Sequence, residues 1–272
     1  MRAIVAAIVA LGLITTTLLM LEPLIDRILF QPSPGIDIRP ESLGIDASEL
    51  RLSSEDGVAL HAFFLPGQPA AGGRALLFLH GNAGNASHRL PNAAALARLG
   101  VDVLLLDYRG YGLSQGRPSR AGVVADARAA LAYLIEVRGY PPERIVLFGR
   151  SLGGAVAVAV AGDGPLGGLI LESTFTSLRD MARTLAGPFG RLFVRSGFDS
   201  LAAIPRVRAP LLFFHGDRDR IVAFELGRRL YEAAPEPKAF EVIPGAGHND
   251  TLEVGGIHYR ERIGRFLDEV VP

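Results

Sequence analysis

Three short segments of this chain hold residue types that together could carry out acyl-group chemistry. The first is Gly149-Arg150-Ser151-Leu152-Gly153, which follows the apolar run Ile145–Phe148 and leads into a small-residue helix, Ala155–Ala161. A serine between two glycines at a strand-to-helix turn is lifted clear of the backbone, because glycine allows a close approach that a Cβ would block. It also stands at a helix N-terminus, where developing negative charge is stabilised. A serine hydroxyl is a weak nucleophile by itself, so the turn calls for a base, a carboxylate behind that base and donors for an oxyanion. The second segment, Gly245-Ala246-Gly247-His248-Asn249-Asp250, follows the strand-like Phe240–Ile243 and presents His248 on a glycine-flanked loop, where a general base belongs. Its rival His258 is expected to open the last helix at the surface, and His61 and His88 have no comparable setting. The third segment is His215-Gly216-Asp217-Arg218-Asp219, after Leu211–Phe214. Asp219, at the far end of that turn, is better placed than Asp217 to reach a histidine on the next loop. Asp217 reads as a carboxylate that caps backbone N–H groups.

A fourth segment supplies the missing donors. His80-Gly81-Asn82-Ala83-Gly84-Asn85 follows the apolar strand Ala75–Leu79 and exposes backbone N–H groups. The N–H of Asn82, with Ala83 as the fallback, would join that of Leu152 in an oxyanion hole. His80 precedes the serine in the chain and reads as structural. Arg109 is expected to tie loops together through a carboxylate, Glu172 to bond local backbone, and Arg150 to point away from substrate.

These residues need a scaffold that brings strand ends together. Leu50–Ser53 and Val58–Leu65 read as strands joined by a Ser54-Glu55-Asp56-Gly57 hairpin turn. From residue 75 strands and helices alternate: strands at 75–79, 101–106, 145–148, 169–171, 211–214 and 240–243, and helices at 88–99, 123–138, 224–233 and 259–270. The strands are continuously apolar, which means burial on both faces in a mostly parallel sheet with helices on each side. Functional groups then belong beyond the strands' C-terminal ends.

The bulk composition narrows the partners. Basic and acidic residues balance at 28 each, so no basic surface for nucleic acid is implied. Cysteine is absent, which excludes disulfides, thiolate catalysis and Cys-ligated metals. Ala3–Leu21 carries no charge, and about 20 apolar residues span a bilayer as a helix. No small-residue cleavage site follows, so the segment reads as an uncleaved anchor and not as a signal peptide. Arg2 on one side, against Glu22 and Asp26 on the other, puts the N-terminus in the cytoplasm and the body on the extracytoplasmic side. The expected organisation is a membrane anchor over 1–22, a Pro- and Gly-rich connector over 23–45, and a catalytic domain over 46–272.

The order Ser151, Asp219, His248 along the chain is that of the α/β hydrolases. The segments HGNAGN at 80–85, DYRGYGLSQG at 107–116, GRSLGG at 149–154, ESTFTS at 172–177, HGDRD at 215–219 and GAGHND at 245–250 resemble the α/β-hydrolase superfamily, and within it the N-terminally anchored abhydrolase-domain serine hydrolases. Ala223 departs from the proline that relatives often carry after the acid loop. The resemblance implies an α/β-hydrolase fold with a short lid region, Ser151 as nucleophile, Asp219 as acid and His248 as base. It implies no metal or cofactor. The expected activity is cleavage of a carboxylic ester or thioester in a small-molecule or acylated substrate, through an acyl-enzyme. A peptidase or amidase, or a non-catalytic binding protein, are the alternatives. Ser173–Pro210 sits where a lid belongs; its Phe175, Leu185, Phe189, Leu192, Phe193 and Phe198 could wall an acyl chain or simply pack the sheet.

Overall fold

In the computed structural model, residues 25–68, 73–187, 194 and 197–272 are described. Eight strands form one sheet: β1 (Ser48–Ser53), β2 (Ala59–Leu65), β3 (Ala75–Leu79), β4 (Asp102–Asp107), β5 (Ile145–Arg150), β6 (Gly168–Glu172), β7 (Leu211–Gly216) and β8 (Lys238–Ile243). Their spatial order is β8-β7-β6-β5-β3-β4-β2-β1. β2 runs antiparallel to both of its neighbours, β1 and β4, and every other pair is parallel.

The continuous apolar character of the central strands has a direct structural reason. Successive side chains point to opposite faces, and both faces are covered. Leu77, Leu79, Leu104, Leu106, Leu147 and Leu171 join one core. Their immediate neighbours Leu76, Phe78, Val103, Leu105, Val146 and Ile170 join the other. The first core is roofed by α2 (Arg120–Ala132) and α3 (Leu152–Ala161), through Val123, Ala127, Val156 and Val160. The second is roofed by α1 (Leu90–Ala97) and α6 (Thr251–Val270), through Leu90, Leu96, Tyr259 and Ile263. Because the six strands β3–β8 are parallel and adjacent, their C-terminal ends open on one edge of the sheet.

Several elements differ from the sequence expectation. The last helix begins at Thr251, directly after the His248 loop, and contains a break at Gly256 (φ 54°, ψ −130°). His258 therefore lies inside α6, on its exposed side. The helix expected at 123–138 starts earlier, at Arg120 behind a Ser119 cap, and ends in a π turn, Tyr133–Val137. Within the lid region a helix, α4 (Leu178–Ala186), is capped by Ser177, whose side chain accepts from Asp180 N. α5 (Phe224–Ala233) has the expected bounds.

The stretch read as a connector is docked along the body. Gln31–Pro32 pairs in parallel with Ala83–Gly84, and Phe30 is buried in the first core. Among the described residues no helix is long and apolar enough to cross a membrane. The Ala3–Leu21 run lies outside the described residues. Arg109 ties loops as expected: its guanidinium bonds the buried Asp126 at 2.8 Å and Asp56 of the hairpin turn at 2.7 Å.

Candidate active site

Ser151 sits between β5 and α3 with φ 54° and ψ −117°, a region L-residues rarely adopt. The strain persists because the surroundings over-determine it. Ser151 N donates to Glu172 O (2.8 Å), and Ser151 O accepts from Gly154 N (3.0 Å) and Thr174 Oγ1 (2.9 Å). Two glycines make the turn possible. A Cβ at Gly149 would lie 2.5 Å from Gly153 O, and one at Gly153 would lie 1.9 Å from Leu79 O. Gly153 thus brings the start of α3 directly onto the end of β3. Leu152 is the first residue of α3, so its N–H has no acceptor within the helix.

Asp219 and His248 come together on neighbouring loops after β7 and β8. His248 Nδ1 lies 2.7 Å from Asp219 Oδ2. The other carboxylate oxygen accepts from Ile221 N and Val222 N, both at 2.9 Å. Burial opposes the charge on Asp219, but hydrogen bonds from His215 and His248 and from the Val222 N–H outweigh it, holding the carboxyl below the ordinary range. An ionised acceptor on Nδ1 places that ring proton on Nδ1 and leaves Nε2 as a lone-pair acceptor. Asp217 takes the capping role, its Oδ1 accepting from Gly245 N at 2.7 Å.

No hydrogen bond joins Ser151 Oγ to His248 among the described residues; such contacts are often loose without substrate. The two loops are tied instead through Arg150. Its Nη2 donates to His248 O (2.7 Å), and its Nε pairs with Glu172 Oε1 (3.0 Å). Glu172 also accepts from Thr251 Oγ1 (2.8 Å) and from the Tyr259 hydroxyl. Glu172 therefore does not bond local backbone with its carboxylate, as its strand-end position suggested. It joins β6 to the start of α6. Arg150 and Glu172 are both nearly fully buried, and burial beside the Glu172 charge drives the Tyr259 phenol well above its usual value. Sequence reasoning missed this pair as part of the site. Its signal is register: an arginine and a glutamate end two apolar strands and stand opposite each other, Arg150↔Glu172.

The His80–Asn85 loop passes close to the nucleophile: a Cβ at Gly81 would lie 3.5 Å from Ser151 Cβ. His80 is fully buried, its Nδ1 2.7 Å from Gly81 O, and burial pulls it down to about 4, so it is a neutral structural residue. Asn82 O accepts from Tyr111 OH at 2.7 Å. Asn82 thus follows the one residue of this loop shown against Ser151, Gly81, and Leu152 follows Ser151 itself at the start of α3. Of the lid aromatics, Phe175 is buried in the first core and Phe198 packs against it. The side chains of Leu185, Phe189, Leu192 and Phe193 lie outside the described residues.

This arrangement has relatives. A family model for the alpha/beta hydrolase fold matches residues 74–195, and one for serine aminopeptidase, S33, matches residues 189–254. The protein Rv2307c of Mycobacterium tuberculosis is 40% identical over 245 residues, covering 89% of this chain and 87% of that protein. The alpha/beta hydrolase domain-containing protein WAV2 of Arabidopsis thaliana is 36% identical over 287 residues, covering 96% and 93%. Among solved structures, the Pyrococcus furiosus esterase Pf2001 superposes with a TM-score of 0.72 at 22% identity, covering 89% of this chain and 100% of that one. With this topology and these relatives, the chain belongs to the α/β-hydrolase family and its fold is that of a hydrolase.

Proposed function

We propose that the protein is a serine hydrolase that cleaves carboxylic ester or thioester bonds through an acyl-enzyme on Ser151. The observation that carries this reading is the Asp219–His248 pair at 2.7 Å, on loops beside a serine held at φ 54°. His248 Nε2 takes the Ser151 proton as Oγ bonds to the acyl carbon, and Asp219 stabilises the imidazolium that results. The N–H groups of Asn82 and Leu152 hold the oxyanion. His248 then returns the proton to the departing alcohol or thiol. Water repeats the cycle on the acyl-enzyme, releasing the acid and free Ser151. The mechanism calls on no metal or cofactor.

The substrate class we favour is a small-molecule or protein-bound acyl group presented near a membrane, since the uncharged Ala3–Leu21 run precedes the domain. The domain organisation we propose is an anchor over 1–22, a connector over 23–45 and a catalytic domain over 46–272. The serine aminopeptidase match over 189–254 favours a second reading, a peptidase or amidase, which uses the same residues.

The test is labelling with a fluorophosphonate probe. The parent protein is expected to label, and Ser151→Ala and His248→Ala are not. Turnover of a matched panel of esters, thioesters and amides should fall by three or more orders of magnitude in Ser151→Ala, with the fold intact by circular dichroism. Hydrolysis that persists in Ser151→Ala rules the assignment out. Faster turnover of amides than of esters selects the peptidase reading.

A further inference from the structure

We infer that residues 29–38, which precede the hydrolase domain proper, are a positioning strap that holds the oxyanion loop in its working geometry. The contacts are dense and directed at the loop. Asn82 Nδ2 donates to Leu29 O (3.1 Å), and Gln31 N donates to Asn82 O (3.0 Å). Ser33 N donates to Gly84 O (2.9 Å). Asn85 Nδ2 donates to Ser33 O, Gly35 O and Asp37 Oδ2, at 3.3, 3.0 and 3.1 Å. Asp37 Oδ2 also pairs with His88 Nε2 at 2.8 Å, and Ser87 Oγ accepts from Asp37 N and Ile38 N, both at 3.2 Å. The strap is itself tied down away from the loop: Gly35 N donates to Gly112 O (2.7 Å) and Gly112 N to Ser33 O (3.0 Å).

The consequence lies in one peptide plane. A carbonyl and the following N–H are coplanar, so fixing Asn82 O fixes the direction of the Ala83 N–H, the fallback donor, and anchors from its C-terminal side the residue whose own N–H is the proposed donor. Two donors, Gln31 N and Tyr111 OH, occupy the two lone pairs of Asn82 O. A rotation of that plane would break both bonds and put a carbonyl where the Ala83 N–H stands. The side chain of Asn82 is tied by the same strap, so the residue is gripped on both sides. A single oxyanion donor contributes about 10²–10³ in kcat. Half-oriented donors forfeit part of that factor without changing how substrate is held.

The inference rests on the serine-hydrolase reading, and the test separates the two. In the full chain in detergent, Gln31→Pro removes the N–H that reaches Asn82 O, at an extended position preceding Pro32, together with the side-chain bond to Ile28 O that Gln31→Ala also removes. Gln31→Ala keeps that N–H and serves as control. kcat and KM are measured on a p-nitrophenyl ester, with the rate of fluorophosphonate labelling and the Tm. Gln31→Pro is expected to lower kcat and the labelling rate ten- to hundredfold, with KM within twofold and Gln31→Ala like the parent. Asp37→Ala, which removes the carboxylate contacts to Asn85 and His88, is expected to lower kcat several-fold. Equal kcat in Gln31→Pro and Gln31→Ala overturns the strap. If Gln31→Pro also loses Tm, Asp37→Ala decides, and an unchanged kcat there overturns the strap. A parent protein that takes up no probe overturns both readings.

Discussion

At the scale of single residues, Ser151 occupies a backbone region where its own Cβ crowds the chain. Glycine carries no such penalty, so the turn's strain is a property of the Ser151 side chain itself. Ser151→Gly and Ser151→Ala are both expected to be inactive, but Ser151→Gly should be the more stable by about 1 kcal/mol. Denaturant titration of the two variants measures the difference, and equal midpoints would show that the turn is unstrained. His80 makes a second prediction. Its pKa falls from 6.5 unfolded to about 4 in the folded chain, so between those values the unfolded state binds a proton that the native state does not. Stability therefore declines as pH drops from about 6.5 to about 4, by roughly 3 kcal/mol from this group. His80→Asn should flatten that part of the stability profile. Asp219 is shifted down as well; its contribution is fully present above the ordinary carboxylate range and is lost as pH falls from there through its lowered value. The candidates Ser151, Asp219 and His248 could be singled out in the sequence because each stands on a glycine-marked loop after an apolar strand, which is local information. Arg150 and Glu172 could not, because what joins them is the pairing of two strands.

At the scale of elements, β5, β6 and α6 meet at the Arg150–Glu172 pair. Removing one charge of a buried pair leaves the other uncompensated and costs about 3–5 kcal/mol, whereas replacing both by apolar groups is often close to neutral. Glu172→Gln is therefore expected to destabilise the protein by about 3 kcal/mol. The double variant Glu172→Leu/Arg150→Met should recover most of that stability but not the activity, because His248 O loses its donor. Thermal unfolding and kcat measured together check this; recovery of both would show that the pair has no role in placing the base. The strands were legible from their unbroken apolar runs, and their ends moved by one or two residues. The start of α6 was not legible. Gly255 and Gly256 disfavour a helix, but Gly255 packs so tightly on Tyr259 and Ile243 that only glycine fits. α4 was hidden for a related reason: its region is rich in aromatics and glycine, and its Ser177 cap is meaningful only once the turn before it is known. The prolines and glycines that marked the connector carry no sign of its pairing with the 80–85 loop, which depends on a long-range register.

At the scale of the whole molecule, the chain places two cores on opposite faces of one sheet and gathers its reactive groups on a single edge. The strap enters that edge from the N-terminal side, immediately after the apolar segment we read as a membrane anchor. The proposed orientation puts the domain outside the cytoplasm. Protease added to spheroplasts is expected to digest it, and a protected domain reverses the orientation. The contact of Gly153 with Leu79 O has a wider meaning. The turn that bears the proposed nucleophile and the loop that bears the proposed oxyanion donors are wedged against each other, and the strap braces the loop from behind. Both segments are thus set by the scaffold and tolerate almost no variation. Differences in the acyl group accepted are expected instead from the sequence between residues 173 and 210. A mutational library aimed at new acyl chains should be concentrated there, leaving 80–85 and 149–154 untouched.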